Sequence, residues 1–305
     1  MNTISTILMC TIFGWTLPSA EQVQDGWIAL FDGATTFGWT SPDLAQWPIE
    51  GGVLTGSEGA TLTSTTEFPA ATVTFELKQA ECEGWEKKTV ELKNAAFELK
   101  VPAGQLWNIR NVFLKPEGMK SIYNGQNLDN WNVYPEMPGK FTVDGQNGEL
   151  LAQDGPGMLE SKESYADFVF QIAAFTAEKN LNSGVFFRCI PGEKMNGYES
   201  QIHNGTVDGD RTKPLDSGTG AIFRRTVARY VNSDDQTWLR KTIVAHGAHI
   251  SVWVNGLQVT DWTDDRKPND NPRRGLRLEA GTFMLQAHDP TTNVRFKDIN
   301  VGTWE

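Results

Sequence analysis

Strict alternation of apolar and polar residues recurs along this chain and confines it to β structure. Thr72-Val73-Thr74-Phe75-Glu76-Leu77-Lys78 alternates without a break, and Thr89-Val90-Glu91-Leu92-Lys93 and Ala96-Phe97-Glu98-Leu99-Lys100 repeat the pattern. A period of two puts the apolar set on one face of a strand. Ile250-Ser251-Val252-Trp253-Val254 alternates more loosely and runs into Asn255-Gly256, a pair suited to the left-handed positions of a two-residue hairpin turn. Phe168-Val169-Phe170-Gln171-Ile172 is nearly continuously apolar, as a strand buried on both faces would be. No amphipathic helix of about 12 residues stands out. The 29 Gly and 14 Pro supply turn signals between the strands. Short strands at this spacing predict an all-β chain built as a sandwich or jelly roll.

The chain also repeats itself. Leu30-Phe31-Asp32-Gly33 followed by Gly38-Trp39 recurs as Ile122-Tyr123-Asn124-Gly125 followed by Asn130-Trp131, at an offset of 92 residues. Each copy continues into a strand, a tight turn and a strand: Trp47-Pro48-Ile49-Glu50-Gly51-Gly52-Val53-Leu54 in the first, Phe141-Thr142-Val143-Asp144 with Gly148-Glu149-Leu150 in the second. Two copies of one architecture are expected. The first spans 21–115 and the second 116–305, with the joint at Lys115-Pro116-Glu117-Gly118. The first copy lacks the long middle section of the second, so it is expected to be a smaller, truncated and non-catalytic version.

Charge narrows the function classes. The chain has 38 Asp+Glu against 27 Lys+Arg, a net charge of −11, which argues against nucleic acid and against anionic lipid as partners. Beyond the N-terminus no apolar run reaches the roughly 18 residues of a membrane-spanning helix, so no membrane insertion is expected. The first twenty residues carry no charge, Ile7 to Trp15 are apolar, and Pro18-Ser19-Ala20 follows. This pattern predicts a secretory signal over 1–20, cleaved near Ala20, and an exported chain, periplasmic or extracellular. Cys82 and Cys189 then remain; both are expected to be free and buried, and no structural zinc site is expected.

Three strands concentrate reactive side chains. In Tyr198-Glu199-Ser200-Gln201-Ile202-His203 the alternation puts Glu199, Gln201 and His203 on one face. A carboxylate, an amide and an imidazole in a row suit proton transfer and hydroxyl recognition. In Ser183-Gly184-Val185-Phe186-Phe187-Arg188-Cys189 the charge of Arg188 falls in an apolar run, so it must be paired or must face a polar cleft. In Leu285-Gln286-Ala287-His288 a second amide and imidazole share a face. Gly218-Thr219-Gly220 permits close backbone approach and leads to Arg224, a substrate-binding candidate. Trp253, with Trp238 and Trp262, has the ring to stack on a sugar, though sandwich core accounts for each more readily. The loop acids Asp208, Asp210 and Asp216 form a weak pattern for a divalent metal such as calcium. His246 and His249 flank Gly247-Ala248 and are expected at the surface. No Gly-x-Ser-x-Gly elbow or His-Glu-x-x-His occurs, so serine hydrolase and zincin readings lack support.

Taken in order, Ile122-Tyr123-Asn124-Gly125…Trp131, Leu159-Glu160-Ser161…Tyr165-Ala166-Asp167-Phe168, Asn182-Ser183-Gly184-Val185-Phe186-Phe187-Arg188, Gly197-Tyr198-Glu199-Ser200-Gln201-Ile202, Trp253-Val254-Asn255-Gly256 and Leu285-Gln286-Ala287-His288 resemble the 3-keto-disaccharide hydrolase domain. The resemblance covers about 116–302. It implies a concanavalin-like jelly-roll sandwich, export from a bacterium, and cleavage of 3-keto-glycosides. His203-Asn204 departs from the Asp that the family often has shortly after its Gln-Ile pair.

The chemistry of such a substrate sets the roles. A ketone at C3 acidifies the C2 proton; a base removes it, an enolate forms, and the C1 substituent leaves by β-elimination before water adds back. The reaction needs a base, an enolate stabiliser and an acid. Glu199 or His203 is the expected base, Arg188 the stabiliser and His288 the acid, with Gln201, Gln286, Trp253 and Arg224 holding the saccharide. Three other readings stay open: a lectin-like carbohydrate-binding module, which needs no proton-transfer pair, an ordinary glycoside hydrolase, which needs two carboxylates facing the bond, and a cell-surface interaction domain in which the repeats simply space partners.

Overall fold

The structure is a computed structural model that describes residues 14–79 and 82–304. The start of the expected leader, residues 1–13, lies outside the described residues.

The second half of the chain is a two-sheet antiparallel sandwich. One sheet runs in the order Lys140–Asp144, Glu149–Gln153, Asn293–Thr303, Phe168–Thr176, Trp238–His246, His249–Val254, Leu257–Thr263, with Lys120–Ser121 added beside Asn293–Thr303. The facing sheet runs Tyr198–Ile202, Ser183–Cys189, Gly281–Ala287, Gly157–Tyr165, Trp131–Val133. Alternation decides what each strand gives to the core. Phe187, Tyr198, Ile202, Phe283 and Leu285 point inward from the five-stranded sheet and meet Phe168, Phe170, Ile243 and Phe296 from the other. Phe170 and Phe283 rings lie 4.3 Å apart. Phe168–Thr176 is buried on both faces, as its apolar run requires: Phe168 and Phe170 face the sandwich, and Val169 faces outward into a second cluster.

That second cluster belongs to the first half. The strands between Ile28 and Pro116 form a single antiparallel sheet whose apolar residues, among them Phe31, Trp47, Phe68 and Leu114, close over Val169, Val244 and Trp253 on the back of the eight-stranded sheet. Polar bonds fasten the joint. Arg229 reaches Asp32 at 2.8 Å, Thr65 reaches Asp261 at 2.9 Å, and the hydroxyls of Thr66 and Ser251 lie 2.7 Å apart. His249, expected at the surface, is drawn into this joint by Asp261, with Nε2 2.8 Å from Oδ1. His246 stacks on Trp304 at 4.4 Å. The reason is the same for both: the hairpin they flank abuts the first half instead of projecting into water.

The repeat is written in hydrogen bonds. The Trp39 indole donates to Leu30 O at 2.7 Å, and the Trp131 indole donates to Ile122 O at 3.2 Å, each nine residues back. Ser64 bonds Thr66 O and receives Phe97 N–H; Ser161 likewise bonds Glu163 O and receives Phe283 N–H. Ile28 and Ala29 pair with Leu114 and Phe113, as Lys120 and Ser121 pair with Val301 and Asn300. In the first half the single strand Glu86–Lys100 runs beside Thr61–Gln79 where the second half uses two strands, Trp238–His246 and Gly281–Ala287. Among the described residues the strands Ser183–Cys189 and Tyr198–Ile202 have no counterpart there.

Cys189 is buried as expected, whereas Cys82 is exposed, because it follows the end of Thr61–Gln79 in the turn toward Glu86–Lys100; both are free. Trp15 packs edge-on against Tyr230 with centroids 4.5 Å apart.

Candidate active site

Glu199 and Gln201 stand on the outer face of the five-stranded sheet because their neighbours Tyr198, Ser200 and Ile202 turn inward. Gln286 faces the same way between the inward Leu285 and Ala287, and His288 follows at the end of that strand. Ser183–Cys189 lies between the two strands and carries Gly184 beside the carboxylate. A Cβ on Gly184 would stand 2.8 Å from Glu199 Oε1, so the absent side chain is what makes room for the carboxyl group. Together these strands floor a cleft of about 400 Å³, lined by Glu199, Gln201, Gln286 and His288 with Asp216 and Arg273.

The electrostatics of the cleft centre on Glu199. Burial pushes its pKa up, and the Arg273 guanidinium, 3.2 Å from Oε2, together with His288 pulls it back. His288 Nδ1 lies 2.9 Å from Asp289 Oδ2, so Nε2 is the ring nitrogen left for a ligand. Gln201 is occupied: its amide N–H groups reach Asp216 Oδ2 at 2.8 Å and Asp216 O at 3.2 Å, while its carbonyl accepts from Ile202 N. Asn182 also donates to Asp216 Oδ2, at 2.5 Å. Asp216 is therefore a fixed acceptor for two amides. The side-chain carbonyls of Asn182 and Gln286 are buried without a partner. Both residues line the cleft, and an orphaned acceptor there calls for a hydroxyl donor.

Four other expected residues fall elsewhere. Arg188 is fully buried on the inner side of its strand. It donates to Ala166 O, Gly247 O and Arg277 O at 2.7, 2.8 and 3.1 Å, and to Asp167 at 3.0 Å. A left-handed backbone at φ 47° shifts the alternation there and turns the side chain away from the cleft. Trp253 is buried in the joint, its indole donating to Ala29 O at 2.9 Å, and offers no ring face to a sugar. His203 lies past the end of its strand, where Gly205 N–H donates to its Nδ1 at 3.3 Å. Arg224 is exposed and lines a small neighbouring depression of about 50 Å³ that Glu199 and Arg273 share.

Arg273 is the residue that pattern reading missed. It stands on the irregular stretch between Thr263 and Gly281, where no periodicity assigns a face. The stretch is fastened by Arg266, which bonds Asp264 at 2.7 Å and Gly275 O at 3.0 Å. Arg273 Nε donates to Met195 O at 2.5 Å, and its guanidinium carbon lies 5.3 Å from the Phe186 ring centre. The sequence signal was the turn Asn271-Pro272-Arg273-Arg274-Gly275, a cationic tip on a Pro/Gly loop. The acidic loop does not gather its carboxylates: Asp210 is engaged by Thr212 and Lys213, and Asp216 by Asn182 and Gln201. Among the described residues no group of three His, Cys, Asp or Glu side chains is placed to hold a metal ion.

Solved structures similar to the chain include a candidate glycosyl hydrolase from Parabacteroides distasonis, at 16% identity and TM-score 0.49, covering 62% of this chain and 95% of that one. A second from the same organism has 24% identity and TM-score 0.47, covering 61% of this chain and 100% of the other. The carbohydrate-binding module CBM66 from Bacillus subtilis has 16% identity and TM-score 0.41, covering 58% and 98%. No curated protein matches the chain. The model of the 3-keto-alpha-glucoside-1,2-lyase-like domain matches residues 118–302, the whole sandwich with its cleft. The chain belongs to that family, and is a carbohydrate-active protein.

Proposed function

We propose that the chain cleaves 3-keto-glycosides by elimination followed by water addition, with Glu199 as the base. The observation that supports this most is the pairing of a buried carboxylate, its pKa raised by desolvation, with the Arg273 guanidinium 3.2 Å away. A carboxylate lifted toward neutral pH is a stronger base than an exposed one. Glu199 removes the C2 proton, and the electron pair of that C–H bond forms the C2=C3 bond of an enolate with its charge on the C3 oxygen. Arg273 takes the stabilising role expected of Arg188, since a guanidinium beside the base is where that charge develops. The enolate collapses, the C1–O bond breaks, and His288, held through Nδ1 by Asp289, gives the departing oxygen a proton from Nε2. Water adding to C1 of the enone, with a proton returned to C2, completes net hydrolysis. Gln286 and Asn182 offer their unpaired carbonyls to sugar hydroxyls.

Asp216 supports a second reading, an ordinary glycoside hydrolase, because it places another carboxylate in the cleft. Its engagement by two amide side chains weighs against a proton-transfer role. One experiment separates the readings: aglycone release from 3-keto-glucosides and from their unoxidised parents, with and without chelator. Release from the keto sugars alone supports elimination. Release from the parents supports the two-carboxylate route. Binding without release supports a lectin-like module, and loss of activity on chelation adds a metal requirement. We further propose that the chain is exported; the N-terminal residue of the secreted protein tests it.

A further inference from the structure

One buried cation has no part in this chemistry. Lys241 lies on Trp238–His246 in the eight-stranded sheet, and none of its surface is exposed. Its side chain crosses the sandwich interior and ends on the facing sheet, with Nζ 2.8 Å from Gln201 O and 3.1 Å from Ser200 O. A methionine would fill the same space without the desolvation of an amine. The strand it reaches is the edge strand of the five-stranded sheet. Beyond that edge Tyr198–Ile202 is met by loop main chain: Gly220 N–H donates to Gln201 O, Ala221 O accepts from Gln201 N–H, and Phe223 N–H donates to Glu199 O. Charged groups face Glu199 from each side of the cleft: Arg273 and His288, with Asp216 opposing them. Lys241 lies on the other side of the strand, and Glu199 is the charge that acts on it.

We propose that Lys241 is a positioning residue of the cleft, which pins from the facing sheet the main chain that presents Glu199 and Gln201 and couples its own charge to that of Glu199. The catalytic part of this rests on Glu199 being the base. Burial draws Lys241 down to about 7 and lifts Glu199, so the two titrations approach one another. Loss of the lysine removes a positive charge and raises the Glu199 midpoint further.

The test uses Lys241→Met and Lys241→Gln in the full chain, with three readouts. Amide hydrogen exchange across 198–203 should quicken by about tenfold in Lys241→Met, with Gly281–Ala287 unchanged. Lys241→Gln, which keeps an N–H donor, should retain part of that protection. The carbon-13 titration midpoint of the Glu199 carboxyl should rise in both variants. Turnover of a 3-keto-glucoside should fall about tenfold in kcat with KM little changed. A wild type inactive on keto sugars would remove the chemical reading, and the first two readouts would still judge Lys241. Unchanged exchange with an unchanged Glu199 midpoint overturns the proposal. If neither variant folds, the wild-type nitrogen-15 signal of Lys241 Nζ decides. Slow proton exchange and a titration step shared with Glu199 support it; fast exchange and an ordinary lysine midpoint overturn it.

Discussion

Two arginines show how much a single residue reveals in sequence. Arg188 announces itself by sitting in an apolar run, and it is indeed a residue that must be satisfied. Its satisfaction comes from three carbonyls and Asp167, not from a substrate. Arg188→Met is therefore expected to destabilise the fold, at about 1–3 kcal/mol for each buried carbonyl left without its donor, measured by denaturant unfolding. Arg273→Met should leave the unfolding midpoint nearly in place and lower kcat by about 100-fold. Glu199→Gln should lower kcat by about 100-fold or more. Its effect on stability has the opposite sign. With the folded pKa raised, the native state holds the proton more tightly from the unfolded value of about 4.3 upward, so ionisation weakens the fold as pH rises through that window. At neutral pH the Gln variant should melt no lower than the wild type. Lys241 works the other way: its folded pKa of about 7 lies below the unfolded value. Through the window from about 7 to 10.4 the unfolded chain binds the extra proton, so stability rises with pH there. The Tm of the wild type should climb relative to Lys241→Met between those limits.

At the scale of elements, strands were legible and the loops that complete the cleft were not. Alternation put Glu199 and Gln201 on one face, and Gln286 and His288 on another, and the sheet order brings the two faces together. At Arg188 a left-handed residue breaks the alternation of its strand, and no period in the sequence marks that break. Alternation was silent about Arg273, since a loop braced by side-chain bonds has no period to read. The central strand of the site has its own constraint. Gly184→Ala would bring a methyl group to 2.8 Å from Glu199 Oε1 while leaving the ladder on either side intact. The expected outcome is a fall in kcat with little change in Tm, since the carboxyl group is the part that must shift; a temperature melt beside a turnover assay checks both.

Across the whole molecule, the repeat was legible as words, but the way its two halves meet was not. The matching Leu-Phe-Asp-Gly and Ile-Tyr-Asn-Gly turns mark where each copy begins. Nothing in them says that the first copy closes over the back of the second. Trp253 illustrates the consequence: an aromatic residue on an alternating strand reads first as core and still as a candidate sugar platform. Here it is core shared between halves, 6.1 Å from the Phe68 ring. Trp253→Ala is expected to lower stability by about 3–5 kcal/mol, with saccharide affinity unchanged for whatever fraction remains folded. A calorimetric melt with a saccharide titration at low temperature distinguishes loss of packing from loss of a platform.

The recurring bonds around Trp39 and Trp131 have a practical meaning. Among the described residues the first copy keeps the scaffold alone, while the second diverts between Thr176 and Gly281 to build most of the cleft, which Gln286 of the scaffold strand Gly281–Ala287 and His288 at its end complete. The same chassis thus exists with its payload and without it. The turn before Glu86 is a natural splice point, where foreign sequence grafted into the chain would leave the indole and serine clamps of the chassis untouched.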